Sequence, residues 1–266
     1  MASVIALAQT TSSVDYKENL QKAELYIKKA KIQKTDLIVF PEYFMTYYPD
    51  YTKSYQKKAQ SMDGEFVTSM KNQARKYRMW IVFGMNEISV DENKTWNTMI
   101  VLDAEGNLAG TYQKTHLFDA YQWKESKDTI PGDKLFEPLK TPLGMLGIGT
   151  CYDLRFPEIA RNAALCGAQV MLYPSAWVKG ENKYMQWETL LRARAVENEM
   201  YVIGCCHYSK EHYMGRSLGF GPSGELLVEG KEKEELLFCD ICLDKIEKVR
   251  HANPVFENRR AELYDL

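Results

Sequence analysis

The chain has 266 residues, of which 45% are hydrophobic and 26% charged, with a formal net charge of −2 at pH 7. This composition is typical of a folded globular protein and argues against a disordered chain. The near-neutral charge argues against a nucleic-acid-binding protein, which normally carries a basic patch.

The beginning of the chain shows neither a basic leader nor a long apolar core, and no apolar run approaches the roughly 18 residues of a membrane span. The first residues therefore predict a strand, and we expect no membrane partner. The six cysteines are expected to be reduced thiols, which favours a cytoplasmic location.

The first eighty-odd residues alternate between continuous apolar runs and stretches with apolar side chains at helical spacing. Leu37, Ile38, Val39 and Phe40 form one continuous run, which is typical of a strand buried on both faces. These patterns predict strands at 4–9, 36–40 and 80–83 and helices at 17–31 and 65–77.

The rest of the chain begins with a hairpin pattern and then returns to alternation. Strands are predicted at 98–102 and 108–114 around a turn at 103–107, and Gly167 is placed as the stop of a helix. Further predicted elements are strands at 146–150, 170–173, 201–205, 217–221, 225–228 and 236–241 and helices at 157–166 and 185–199. The alternation favours a layered α/β fold in one domain, 1–266, with two stacked sheets and outer helices.

Reactive side chains directly follow three of these strands. Cys151 lies between Gly149 and Pro157, in a sharp strand-to-helix turn that resembles the nucleophile elbow of other hydrolases. The N-terminus of the following helix is expected to lower the pKa of this thiol. A buried core cysteine is the alternative interpretation.

A thiol nucleophile needs a proton acceptor, and two residues qualify. Glu42 follows three apolar residues, so its carboxylate is expected to be partly desolvated and a good base. His116 fits the cysteine–histidine pair of other hydrolases, and spacing alone does not decide between them. Lys114 is placed to stabilise an oxyanion, although an ordinary solvated lysine is the alternative.

Two short motifs match the letter patterns of a dinucleotide site and of a metal site. The G-x-G-x-x-G pattern at 219–224 is followed by a strand pattern, whereas a dinucleotide site requires a helix there. We therefore expect a hairpin turn at 222–225. Cys239 and Cys242 lie in a strand pattern, where their side chains would face opposite sides, so we expect no metal site.

These stretches together resemble the nitrilase superfamily of carbon–nitrogen hydrolases. The matches occur in the family's order: FPE at 40–42, YQKTHLF at 112–118 and CYDLRFPE at 151–158, then YPSAW at 173–177, RARAVEN at 192–198 and NPVF at 253–256. The resemblance implies a four-layer α-β-β-α sandwich that needs no metal or organic cofactor. It also implies a homodimer or larger oligomer, with a C-terminal tail, 251–266, at the contact.

The resemblance also assigns roles to residues. It implies a Glu–Lys–Cys triad of Glu42, Lys114 and Cys151, and a second glutamate, Glu125, as a fourth member. The oxyanion would be held by Lys114 and by the backbone N–H of Tyr152. His116 would be structural support rather than the base.

The substrate is less clearly indicated. Arg155 suits a substrate carboxylate, and the segment around it resembles ω-amidases, so we expect a small carboxylate-bearing amide. Trp177, Tyr48 and Phe44 are candidates for the pocket lining, although core packing explains each equally. The alternatives are an N-carbamoyl amidohydrolase, a deaminated-glutathione-type amidase and, in another class, a catalytically silent binding protein on the same fold.

Overall fold

Two six-stranded sheets contain all the named strands in residues 2–47 and 55–264, the part of the chain that this computed structural model describes. The first sheet has the order β12 (Glu235–Ile241), β1 (Ser3–Gln9), β2 (Leu37–Val39), β3 (Trp80–Ile88), β4 (Thr95–Leu102) and β5 (Leu108–Gln113). The second has the order β11 (Leu226–Glu229), β10 (Leu218–Phe220), β9 (Tyr201–Cys206), β8 (Val170–Ser175), β7 (Gly144–Ile148) and β6 (Leu139–Thr141).

Helices cover the outer faces of both sheets. One apolar cluster joins the first sheet to α1 (Tyr16–Ile32) and α2 (Glu65–Tyr77), and another joins the second sheet to α3 (Pro157–Leu165) and α4 (Lys183–Asn198). A third cluster lies between the two sheets and includes side chains from both, among them Val39 and Ile148. This confirms the predicted α-β-β-α sandwich.

The central strands bring distant segments to one edge. β1, β2 and β3 are parallel to one another, as are β7, β8 and β9. Side chains that follow the carboxyl ends of parallel strands lie at the same edge of a sheet, which is where α/β proteins place their sites. Glu42 follows β2 and Cys151 follows β7, so the stacking of the sheets places both near one cleft.

Some elements were not predicted from the sequence. β6 has three residues, too few for an alternating pattern, and α5 (Leu243–Ala252) buries only Ile246 among its residues. The predicted hairpin turn at 222–225 is confirmed, because β10 and β11 on either side of it pair antiparallel. In the described part of the chain, no helix combines the length and the apolar character needed to cross a membrane.

The segment after α5 packs back onto the second sheet's helices. The Phe256 ring lies 4.8 Å from the Arg250 guanidinium and 5.3 Å from that of Arg161. A short 3₁₀ turn, Ala261–Leu263, follows. The role of this tail in an oligomer contact stays a prediction.

Candidate active site

Cys151 sits in a strained turn at the end of β7. Its φ angle is +48°, a conformation that non-glycine residues rarely adopt except where the surrounding structure imposes it, often at functional sites. The fully buried Asp153 holds the turn, since its carboxylate accepts hydrogen bonds from the Thr150 N–H (2.8 Å) and the Tyr112 hydroxyl (2.7 Å). Cys151 itself lines the cleft between the sheets.

Glu42 is 1% exposed, and both its carboxylate oxygens are bonded. Oε1 accepts from Lys114 Nζ at 3.0 Å and from Asn97 Nδ2 at 2.7 Å, while Oε2 accepts from the Ala176 N–H at 2.8 Å. The chain passes close to Gly84 here: a Cβ on that glycine would lie 2.5 Å from the Tyr43 nitrogen. The orientation of the carboxylate is therefore fixed from both sheets.

Lys114 lies between two carboxylates. Its ammonium is 3.0 Å from Glu42 and 2.8 Å from Glu125, and the side chain is 2% exposed. Burial alone would lower the pKa of Lys114, but the negative charges of Glu125 and Glu42 outweigh it and hold the pKa well above its usual value. Lys114 is therefore a permanent cation at this site.

Glu125 also stays ionised. Burial tends to raise its pKa, but the Lys114 charge and hydrogen bonds from Lys114, the Phe118 N–H (2.6 Å) and the Tyr43 hydroxyl (2.8 Å) lower it. Asn97 Nδ2 lies 3.1 Å from the same carboxylate and bridges it to Glu42. The structure thus brings Glu42, Lys114 and Glu125 together, as the family resemblance implied.

The expected lowering of the Cys151 pKa is wrong. Burial and the nearby Glu42 charge raise the pKa of the thiol well above its usual value, and Lys114 offsets only part of this. The helix that was to lower it begins at Pro157, beyond an intervening 3₁₀ turn, Cys151–Arg155. The resting residue is therefore a neutral thiol beside an ion cluster.

His116 lies away from the cleft lining formed by the described residues. Its Nδ1 is 2.9 Å from Asp153 Oδ1, and its ring stacks on Phe156 with centroids 3.8 Å apart. His116 therefore contacts the turn that carries Cys151, whereas Glu42 lines the cleft together with Cys151.

The cleft continues past the ion cluster. Tyr152 and two of the predicted substrate-binding residues, Arg155 and Trp177, line it. The Arg155 guanidinium lies 5.1 Å from the centre of the Trp177 ring, and its Nη2 donates to Gln186 Oε1 at 2.7 Å.

The other two predicted lining residues differ in outcome. Phe44 is fully buried and stacks on Phe40 with centroids 4.4 Å apart, in the cluster beneath α1 and α2, so its placement in the pocket was wrong. The chain turns at Tyr43, whose φ is +54°, and it is Tyr43 that lines the cleft. Tyr48 lies outside the described residues.

Three residues of the site carried no signal in the sequence. In the sequence, Asn97 is an ordinary strand residue. Its hydrogen bonds to Glu42 and Glu125 arise because β4 pairs with β3, which lies beside β2. Tyr43 was not predicted, because the sequence analysis placed its neighbour Phe44 in the pocket instead. Lys183, at the start of α4, lines the cleft although its surroundings in the sequence are those of an exposed helix end.

The sequence and the fold match known proteins over nearly the whole length of this chain. The family model described as "Carbon-nitrogen hydrolase" matches residues 4–251. The chain is 34% identical to the omega-amidase NIT3 of Saccharomyces cerevisiae over 280 residues, which is 98% of this chain and 94% of the relative.

A longer relative has a solved structure. The nitrilase and fragile histidine triad fusion protein NitFhit of Caenorhabditis elegans is 33% identical over 98% of this chain, which spans only 62% of the relative's length. Its crystal structure superposes with a TM-score of 0.92, at 32% identity, over 99% of this chain and 66% of that one.

A third match bears on the cysteine. A glutamate-to-glutamine mutant of the amidase from Nesterenkonia sp. AN1 superposes with a TM-score of 0.81, at 27% identity, over 98% of this chain and 95% of that one. That structure shows covalent addition of the acetamide moiety of fluoroacetamide at the active site cysteine of the Nesterenkonia enzyme.

Proposed function

This chain belongs to the carbon–nitrogen hydrolase family, and from that membership we propose that it is an amidase that acts through Cys151 and a thioester intermediate. One observation carries the proposal: Cys151 lines the same cleft as the buried ion cluster of Glu42, Lys114 and Glu125. A nucleophile beside a base and a fixed cation is the arrangement that acyl transfer requires.

The first half of the reaction forms the thioester. Glu42 takes the Cys151 proton as the sulfur attacks the amide carbonyl carbon, which spares the enzyme a free thiolate in a buried site. The carbonyl oxygen becomes an oxyanion, stabilised by the Lys114 ammonium and the Tyr152 backbone N–H. The C–N bond then breaks, and the proton on Glu42 passes to the departing ammonia or amine.

The second half releases the acid. Glu42 takes a proton from a water molecule, whose oxygen attacks the thioester carbonyl. The C–S bond breaks, the sulfur recovers a proton from Glu42, and the carboxylic acid leaves. Glu125 touches Lys114 rather than the reacting bond, and holds the ammonium in place throughout.

The substrate class follows from Arg155. Its guanidinium faces the cleft, and within the described ranges it donates a hydrogen bond to the neutral amide of Gln186 and forms no salt bridge with a carboxylate. A bidentate pair with a substrate carboxylate suits such a guanidinium. This favours an ω-amide of a small carboxylic acid, in keeping with the name of the yeast relative.

Ammonia release from a panel of amides tests the proposal. The panel holds ω-amides of keto acids, glutamine-like amides, N-carbamoyl compounds, deaminated glutathione and simple amides. We expect turnover by the wild type and by Cys166→Ala, a matched control because Cys166 is an exposed free cysteine outside the cleft. Cys151→Ala should fold normally and release no ammonia above background.

Mass spectrometry of the acid-quenched reaction should find an acyl group on the peptide that contains Cys151. Wild-type turnover by Cys151→Ala would exclude the assignment of the nucleophile. Failure of every amide to release ammonia or to acylate Cys151 would instead support a silent binding protein on this fold.

A further inference from the structure

Lys183 places a second cation in the wall of the cleft. It is the first residue of α4, it is 9% exposed, and it lines the same cavity as Cys151 and Arg155. Lysine side chains are almost never this buried unless they are paired with an anion. The position therefore needs an explanation that packing alone does not supply.

Within residues 2–47 and 55–264, no carboxylate oxygen forms a salt bridge of 4 Å or less with the Lys183 ammonium. The ammonium instead lies 4.0 Å from the centre of the Tyr121 ring and 5.8 Å from that of Phe118. Aromatic faces attract a cation but leave its charge in place. Lys114, by contrast, has two carboxylates of its own.

Lys183 and Arg155 belong to one rigid wall. The Trp177 ring lies beneath the Arg155 guanidinium, with 5.1 Å between the carbon of the guanidinium and the ring centre. The Trp177 indole N–H donates to the Lys183 carbonyl oxygen at 3.0 Å, and Trp177 is itself 4% exposed. Trp177 thus contacts both the Arg155 guanidinium and the backbone of Lys183.

Among the described residues, the cleft contains one acidic residue outside the ion cluster, Asp128. Among the residues that the structure describes, Asp128 forms a salt bridge with neither Arg155 nor Lys183. In the described part of the chain, two cations therefore face the cleft without a carboxylate in contact. Burying a cation without a partner is costly, so an anionic ligand would stabilise the buried Lys183 and would also pair with the half-buried Arg155.

We propose that Lys183 is a specificity-determining residue, and that the acid part of the substrate carries two carboxylates, one held by Arg155 and the other by Lys183. This inference rests on the proposed amidase function, since it names the substrate class of that same cleft. It adds a requirement that Arg155 alone does not impose, namely a second negative charge on the substrate.

Two amides of equal chain length test it: glutaramate, with one carboxylate, and (2-carbamoylethyl)malonate, which differs by a second carboxylate. The variants are Lys183→Met, which removes the charge, and Lys183→Arg, which keeps it. Lys179→Met is the matched control, because the Lys179 ammonium binds the Lys210 carbonyl oxygen at 2.9 Å and does not line the cleft.

We expect Lys183→Met to raise KM for the dicarboxylate about 10- to 100-fold, because one charge-assisted hydrogen bond is lost. The kcat of this variant should stay within about twofold of the wild-type value. KM for glutaramate should rise by about threefold or less. Lys183→Arg should keep most of the preference for the dicarboxylate, and Lys179→Met should match the wild type with both amides.

Calorimetric binding of both amides in the Cys151→Ala background separates the two proposals. If the wild type hydrolyses neither amide, the amidase proposal fails for this class, while the effect of Lys183→Met on binding still tests the anion site. Equal effects of Lys183→Met on both amides, or none on the dicarboxylate, would overturn the assignment of Lys183.

Discussion

The Glu42 carboxylate, at the end of β2 in one sheet, accepts a hydrogen bond of 2.8 Å from the backbone N–H of Ala176, at the end of β8 in the other. The two residues are 134 positions apart in the chain. This contact orients the proposed base toward the second sheet, which carries Cys151. The site therefore depends on how the two sheets stack.

Removal of the Lys114 charge should destabilise the fold as well as the reaction. In Lys114→Met, the buried carboxylates of Glu42 and Glu125 lose their shared cation, which should lower the free energy of unfolding by about 3–5 kcal/mol at pH 7. The loss of an oxyanion donor should lower kcat by about 10²–10³. Urea denaturation and ammonia release measure the two effects.

The free energy of unfolding that Glu125 contributes depends on pH with a defined sign. In the wild type the pKa of Glu125 is lowered, so its contribution to stability is present above its unfolded value of about 4.3 and is lost as the pH falls below it.

Lys22→Met is the control for Lys114→Met, since the exposed salt bridge between Lys22 and Glu234 should contribute about 1 kcal/mol or less. Equal losses of unfolding free energy in Lys114→Met and Lys22→Met would contradict the stability prediction for Lys114.

The Cys151 thiol should alkylate only slowly at neutral pH, because its pKa is raised by burial first and by the Glu42 charge second. Glu42→Gln removes that charge and leaves Lys114 in place, so the pH midpoint for iodoacetamide labelling of Cys151 should move down. Amide turnover should nevertheless fall by about 10²–10⁴, as expected when a general base is lost.

Mass spectrometry of the labelled peptides reads the midpoint, and the exposed Cys166 gives an internal reference in the same sample. A midpoint that stays unchanged or rises in Glu42→Gln would show that the carboxylate does not control the thiol.

His207 connects the base to the first strand of the sheet. Its Nε2 lies 2.6 Å from the Glu42 carbonyl oxygen and its Nδ1 lies 2.9 Å from the Thr10 carbonyl oxygen. Burial lowers the pKa of His207 to about 4, so the ring is neutral at pH 7 and donates one N–H, which we assign to the shorter contact. Nitrogen-15 NMR titration of the histidine rings should show this ring neutral down to about pH 4.

The stability effect of His207 follows from linkage. Between about pH 6.5 and pH 4 the unfolded chain binds a proton that the folded chain does not, so the free energy of unfolding should fall by about 3 kcal/mol as the pH drops across this window. His207→Gln should lose this part of the pH dependence. A ring that is protonated at pH 7, donating to both carbonyls, would refute the neutral assignment.

Gly84 allows the chain to approach Glu42. A Cβ there would lie 2.5 Å from the Tyr43 nitrogen and 2.9 Å from the Glu42 Cα and carbonyl carbon, all backbone atoms. Gly84→Ala should therefore displace Glu42, with a stability loss of about 1–3 kcal/mol and a larger loss of turnover. Thermal unfolding and steady-state kinetics compare the two.

Gly147→Ala is the matched control, because its Cβ would first meet the Met171 sulfur at 2.8 Å, which belongs to a flexible side chain. We expect Gly147→Ala to keep most of its turnover. If Gly84→Ala and Gly147→Ala both lose turnover in proportion to their loss of stability, the close approach at Gly84 does not specifically position Glu42.

The local patterns of the chain were sufficient for most elements and for the order of the site residues. Continuous apolar runs predicted the parallel strands, because such strands are buried on both faces, and the polar groups directly after them marked Glu42 and Cys151. Phe44 was misplaced because its sequence context is the same whether the chain turns at Tyr43 or continues. The positive φ of Tyr43, +54°, cannot be predicted from the sequence, because tyrosine is not a residue type that favours this conformation.

The sequence by itself determined which groups are present at the strand ends, and its family resemblance predicted that Glu42, Lys114, Glu125 and Cys151 belong to one site. Only the tertiary structure decided their charge states and what surrounds them. The Cys151 pKa moves up rather than down because the thiol is buried and because the Glu42 charge comes from the other sheet. Lys183 becomes part of the cleft because Phe118 and Tyr121, which are distant in the chain, lie beside its ammonium.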